Sequence, residues 1–173
     1  MTAAAPHSST RDVVDLILTD HRRMEDLFRE MRSVEADRAA ALREFAALLV
    51  AHAVAEEAEV YPALKRYKHI ENDELEHGEE EHDDGNRALL ALLEEAGDGT
   101  GVGTDAWDEK LERLVEAVAH HTDEEERTIL NGARENVAMP RREELGEAFL
   151  RARDEQLDAS CGTIDHVRKL VDG

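Results

Sequence analysis

Apolar residues recur along most of the chain at alternating steps of three and four, the period of a helix face turned toward a core. The first such stripe is Val14, Ile17, Met24, Phe28 and Met31, with His21 in its middle. Ser9-Thr-Arg-Asp12 reads as the N-cap of that helix, preceded by a loose arm over residues 1–9. A second stripe, opening near Asp37, holds Leu42, Phe45, Leu49, His52 and Glu56. It is expected to stop near Tyr61-Pro62, because proline disfavours helical geometry in the residue before it. Polar residues 65–73 follow as a frayed end or loop, and a third helix is predicted from about Asn72 to Ala96, with Leu75, His82, Leu89, Leu93 and Ala96 on one face. Gly97-Asp-Gly-Thr-Gly-Val-Gly103 is too glycine-rich to stay helical and, with no Lys-Ser/Thr after it, reads as a connector, not a phosphate loop. The fourth helix opens at Thr104 or Asp105, carries Leu111, Leu114, Val118, His121 and Glu125, and stops before Met139-Pro140. A shorter amphipathic helix through Leu145, Phe149 and Ala152 is expected next, then a last helical turn or a tail, with nothing chemical marking either.

Composition agrees with an all-α chain. Ala, Leu, Glu and Arg abound, only 3% of residues are aromatic and there are three prolines, so a sheet has little to be built from. The 173 residues suit one domain. A net charge of −21 argues against a nucleic-acid backbone or an anionic membrane as partner, since both would be repelled. No apolar run is long enough to span a bilayer and the first residues lack a basic segment followed by an apolar one, so a cytoplasmic location is expected. The single Cys161 rules out an internal disulfide framework and reads as a bystander.

Each of the four long stripes contains one histidine: His21, His52, His82 and His121. His52 and His121 open the pairs His52/Glu56 and His121/Glu125, each followed by a second Glu, and the nine residues from Leu49 to Glu57 lie over those from Val118 to Glu126. Positions four apart lie about 40° apart around a helix, so each pair converges on one point. Two carboxylates and four imidazoles in one core are costly unless a cation supplies the counter-charge and takes the imidazole lone pairs. Histidines with carboxylates able to bridge, and no cysteine nearby, favour a dinuclear iron or manganese centre over structural zinc. The expectation is two iron ions, joined by an oxo or hydroxo group and bridged by Glu56 and Glu125.

In order along the chain, Thr19-Asp-His21-Arg-Arg-Met-Glu-Asp-Leu-Phe28, His52-x-x-x-Glu56-Glu57 before Tyr61-Pro62, Glu81-His82 and His121-x-x-x-Glu125-Glu126 resemble the hemerythrin-like family with HHE cation-binding motifs. The resemblance covers about residues 10–138 and leaves 139–173 as a C-terminal helix and tail. It implies an up-down-up-down four-helix bundle around a non-heme diiron centre, with His21, His52, Glu56, His82, His121 and Glu125 as metal ligands. Members bind O2, sense oxygen or iron, or react with peroxide or nitric oxide. The chain departs from the oxygen carriers in two places. They have a histidine four residues before the one matching His82, where this chain has Gly78, and an Asp at spacing five where this chain has Glu125 at spacing four. Simple reversible O2 carriage is therefore in doubt.

Two further residues are candidate ligands. His77 lies about 140° from His82 on a regular helix and reaches the centre only if a bulge near Gly78 turns it inward. Tyr61, five residues past Glu56, either ligates Fe(III) as a phenolate or packs with its hydroxyl at the rim. His120 points away from His121, and Trp107 reads as packing. The function expected is binding of O2 or a related small oxidant, peroxide or nitric oxide. Its rivals are an enzyme consuming hydrogen peroxide or nitric oxide, and an iron or oxygen sensor or iron store acting through a protein partner that no motif identifies.

Overall fold

The structure is a computed structural model that describes residues 11–173. Four long helices, α1 (Val13–Arg32), α2 (Arg38–Ala55), α3 (Asn72–Ala96) and α4 (Asp105–Glu125), are followed by α5 (Met139–Asp158) and α6 (Ile164–Asp172). No strand occurs among the described residues, and the long helices form the expected bundle. Side-chain caps set several starts: Asp12, Asp37, Thr104 and Thr163 each accept a backbone N–H of the first turn. The predicted cap at Ser9 and the N-terminal arm lie outside the described residues.

Neither α2 nor α4 ends where its α-helical hydrogen bonding first breaks. Each continues through one π-helical turn, Glu56–Val60 and Glu126–Leu130, into a further α-helical stretch, Tyr61–Leu64 and Asn131–Asn136. The expected stop at Tyr61-Pro62 is thus corrected, and the wider turn explains why. The Tyr61 N–H donates to the Glu56 carbonyl five residues back, a longer repeat that makes room for a proline ring a regular turn would crowd.

The core consists of two apolar layers with a polar layer between them. One layer holds Met24, Phe28, Phe45, Leu49, Leu89, Leu92, Trp107, Leu111 and Val118 with their neighbours. The other holds Val14, Ile17, Tyr61, Leu64, Leu75, Ile129, Leu130 and Phe149. Each long helix crosses from one layer to the other once, and the residues at the crossings are His21, His52 with Glu56, His82, and His121 with Glu125, all buried. In α3 the buried row is Leu75, Gly78, His82, Gly85, Leu89, Leu92 and Ala96, at steps of three and four throughout. Leu92 replaces the expected Leu93, because steps of three and of four after Leu89 both fit a helical face and lead equally to Ala96, so that packing decides between them.

The C-terminal segment is no appendage. At 20 residues α5 equals α1 in length, contrary to the shorter helix expected. It packs on α1 and α2 so closely that a Cβ on Gly146 would stand 1.7 Å from the Arg11 carbonyl oxygen. Arg142 fastens it there, donating to Asp12 (2.9 Å) and to the Val137 carbonyl (2.8 Å). The final segment is a helix, α6, which lies on α3 and inserts Val167. Cys161 is fully buried beside it, its thiol 3.4 Å from the Ala47 carbonyl oxygen. With α5 on its outer side, α2 has buried residues on most faces.

Candidate metal centre

The six groups singled out by the sequence meet in the polar layer. His21, His52, Glu56 and Glu125 bring one donor atom each to a common point, and Glu56, His82 and His121 do so at a second. Glu56 belongs to both. Its Oε1 is 3.0 Å from His52 Nε2 and its Oε2 is 3.0 Å from His82 Nε2, so the two oxygens of one carboxylate face the two points. Glu125 Oε2 stands between His21 Nε2 (3.3 Å) and His121 Nε2 (3.7 Å).

The two nitrogens of each imidazole meet different surroundings. Every Nδ1 faces a carboxylate: Glu126 for His21 (3.0 Å), Asp20 for His52 (3.0 Å), Glu57 for His82 (2.7 Å) and Glu81 for His121 (3.5 Å). Every Nε2 is buried and makes no hydrogen bond, as are Glu56 Oε1 and Glu125 Oε2. A carboxylate at Nδ1 holds the proton there and leaves the Nε2 lone pair aimed inward, the tautomer a metal requires. Six buried polar atoms converge without partners where such atoms are normally satisfied, and cations would satisfy all six. The donor set therefore fits metal ions.

The second Glu of each Glu-Glu pair acquires a role here. Glu57 crosses to His82 on α3 and Glu126 crosses to His21 on α1, so each pair places one carboxylate at the centre and one behind a histidine of another helix. Both pairs sit where α-helix gives way to the π-turn. Unaided sequence reading assigned Glu57, Glu126, Asp20 and Glu81 no role, since none falls in an apolar stripe.

Without a cation, protons must balance these charges. Burial disfavours imidazolium at His52, yet the Glu56 and Asp20 carboxylates outweigh it and push its pKa up to about 10. At His82 burial is again outweighed, by Glu56 and Glu57, and the pKa rises to about 9. His21 is also raised, its burial overcome by Glu125 and Glu126. His121 goes the other way, pushed down to about 4 chiefly by burial. Burial alone would raise the Glu56 pKa, but His52 and His82 hold it well below the carboxylate range.

Tyr61 is fully buried beside the centre, its hydroxyl donating to Glu125 Oε1 (3.0 Å) and standing 3.5 Å from Glu56 Oε2. Burial and the nearby carboxylates raise its pKa well above the phenol range. The rim position considered for this hydroxyl is thus corrected to an interior one. The ring stacks on His82 and fills the space over Gly78, where a Cβ would lie 3.0 Å from the hydroxyl oxygen. Gly78 is the place where the resemblance to oxygen carriers would put a histidine, and Tyr61, from the stretch that continues α2 beyond its π-turn, occupies the room that this histidine would need.

His77 is not brought to the centre. Helix α3 is regular through Gly78, and the His77 side chain is 53% exposed and faces Glu81 and Glu124. The bulge needed to turn it inward is absent because Gly78, itself buried, already lies in the regular row of α3.

α5 contributes two residues to which sequence reading assigned no part in the centre, Phe149 of its apolar stripe and Arg153. The Phe149 ring meets His52 edge-on at 5.7 Å between centroids. Arg153 donates to Asp20 Oδ1 (2.6 Å), while Asp20 Oδ2 faces His52 Nδ1, giving a chain of Arg153, Asp20 and His52. Arg153 thereby fixes the carboxylate that fixes the imidazole.

Searches of curated proteins and of solved structures returned no match. The family model for the hemerythrin HHE cation binding domain matches residues 12–132, well over half of the chain, and spans all six converging groups. The chain belongs to the hemerythrin HHE cation-binding domain family.

Proposed function

We propose that this bundle holds two iron ions, one by His21 and His52 and the other by His82 and His121, with Glu56 and Glu125 shared between them, and that the centre binds O2 or a related small oxidant. The observation that carries this reading is the division of labour in the four imidazoles, with Nδ1 against carboxylate and Nε2 without a partner. Glu56, with an oxygen toward each point, supports two ions and not one. The absence of thiolate from the donor set favours iron or manganese over structural zinc. Iron at such a centre supplies reversible one-electron chemistry toward small oxidants. The protein's own contribution is to exclude water with the apolar layers on either side and to hold the imidazoles in one tautomer.

Tyr61 favours a second reading, turnover of peroxide or nitric oxide. Its hydroxyl oxygen lies 3.0 Å from Glu125 Oε1 inside the dry site, where a phenol can hold or hand over a proton. The charge of −21 accords with a protein of the cytoplasm whose partners are small molecules, with neither nucleic acid nor membrane among them. No helix of the described residues is long and apolar enough to cross a membrane.

Elemental analysis of the purified chain, with visible spectra before and after reduction and exposure to O2 and peroxide, tests the reading. About two irons per chain, lost in His52→Ala and Glu56→Ala, are expected. One zinc, or no metal, would overturn it. Sustained peroxide consumption above that of free iron selects the enzyme over the binding protein.

A further inference from the structure

The geometry points to a third cation site, on the surface between α3 and α4, formed by His77, Glu81, His120 and Glu124 and suited to a divalent first-row transition metal. The His-x-x-x-Glu spacing of the buried centre recurs at His77/Glu81 and at His120/Glu124. One pair lies on each of two adjacent helices, so the four side chains face each other across the helix interface. One donor atom from each converges on a common point.

The distances around this ring are alike. His77 Nε2 is 3.6 Å from Glu81 Oε1 and 3.5 Å from Glu124 Oε2, and His120 Nε2 is 3.6 Å from Glu81 Oε2 and 3.6 Å from Glu124 Oε1. These contacts are too long for good hydrogen bonds. Each carboxylate turns one oxygen toward each imidazole, and one donor atom from each of the four residues lies within 4.8 Å of the others, close enough to share one ion.

Glu81 is the independent sign that something is held there. Its side chain is only 10% exposed, and its Oε2, turned toward His120, is buried without a hydrogen-bond partner. A carboxylate oxygen in that position gains from a cation what no protein donor gives it. Two imidazoles and two carboxylates suit Fe2+, Mn2+, Co2+ or Zn2+ better than Ca2+ or Mg2+, which prefer all-oxygen shells.

Glu81 also links this site to the buried one, its Oε1 being 3.5 Å from His121 Nδ1. A cavity of about 50 Å3 is lined by His77, Glu81 and Glu124 at its outer side and by His121 and Glu125 at its inner side. The outer site is therefore a landing place from which cations reach the buried centre, a role that rests on the metal-binding reading given above.

The test uses the full chain with its buried centre loaded with iron, titrated with Co2+ and followed by calorimetry and visible absorption. One Co2+ per chain beyond the iron is expected, with the intense d–d absorption of a four-coordinate ion. The His77→Ala, His120→Ala double variant changes only residues with exposed side chains, 53% and 61%, and should bind this Co2+ at least 100-fold more weakly at unchanged iron content. Absence of the extra equivalent in the unaltered chain, or its survival in the double variant, overturns the site. The same variant, produced without iron and then given Fe2+ anaerobically, should fill the buried centre at least tenfold more slowly to the same final content, and an unchanged rate overturns the landing role. If the buried centre proves not to hold iron, the Co2+ titration still decides the outer site, because the double variant must subtract one cation from whatever total the unaltered chain binds.

Discussion

At the scale of single residues, the centre is governed by which atom carries a proton. In the metal-free chain the raised His52 and His82 are protonated at pH 7, so a cation arriving at their Nε2 atoms must displace those protons. Calorimetric titration of metal into the depleted chain in buffers of different ionisation enthalpy should therefore show net proton release at pH 7. Apparent affinity should fall as the pH is lowered, and a heat independent of buffer would contradict the assignment. The same residues set the pH response of the metal-free fold. A folded-state pKa above the unfolded value of 6.5 gives stability that is fully present below pH 6.5 and is lost as pH rises through about 9 to 10. Denaturant melts of the depleted chain should show that loss, and iron-loaded melts should not. Tyr61→Phe removes the hydroxyl facing both Glu56 and Glu125. It is expected to keep the iron and to abolish any broad phenolate band of the loaded protein, as read from paired spectra and iron assays.

At the scale of elements, the π-turns and α5 distinguish this bundle from four plain helices. The turns begin at Glu56 and Glu126, so both carboxylate-bearing segments depart from regular geometry beside the centre, where Glu56 faces two points at once. α5 lies beyond residue 132, where the family match ends, yet it holds the Asp20 behind His52. Arg153→Met should preserve the helical circular dichroism and weaken iron retention about tenfold, the usual size of such an indirect effect. Chelator competition measures it, and recovery in Arg153→Lys would show that charge on Asp20, and not bulk, is what matters. Phe149 is fully buried against His52, and Phe149→Ala should cost about 3–5 kcal/mol in denaturant unfolding. A cost near zero would mean that α5 is not docked as described.

At the scale of the whole molecule, the two apolar layers are joined through a layer that is electrostatically incomplete without metal. Depletion leaves Glu56, Glu125 and four imidazoles facing one another across all four long helices. Melting temperature should drop by about 10 °C or more on metal removal, given that a few kcal/mol is worth several degrees at this size. A transition at the same temperature in the chelated protein would separate folding from the metal altogether.

The sequence by itself determined the four long helices, their order and the four histidines and two glutamates that meet at the centre, though it also offered His77, which does not. Periodicity of three and four is a property of one helix face, and a histidine on each of four such faces is bound to enter the shared core. Even the spacing behind the outer cluster, His77/Glu81 and His120/Glu124, is written there. What the tertiary structure alone decided are relations between helices: that Glu57 serves His82 and Glu126 serves His21, and that Tyr61 fills the space above Gly78. It decided too that His77 faces outward to Glu124, and that Arg153 reaches Asp20 across 133 positions. Local periodicity records which face a residue occupies, whereas an interhelical partner depends on axial register and rotation, which are set only when the two apolar layers pack.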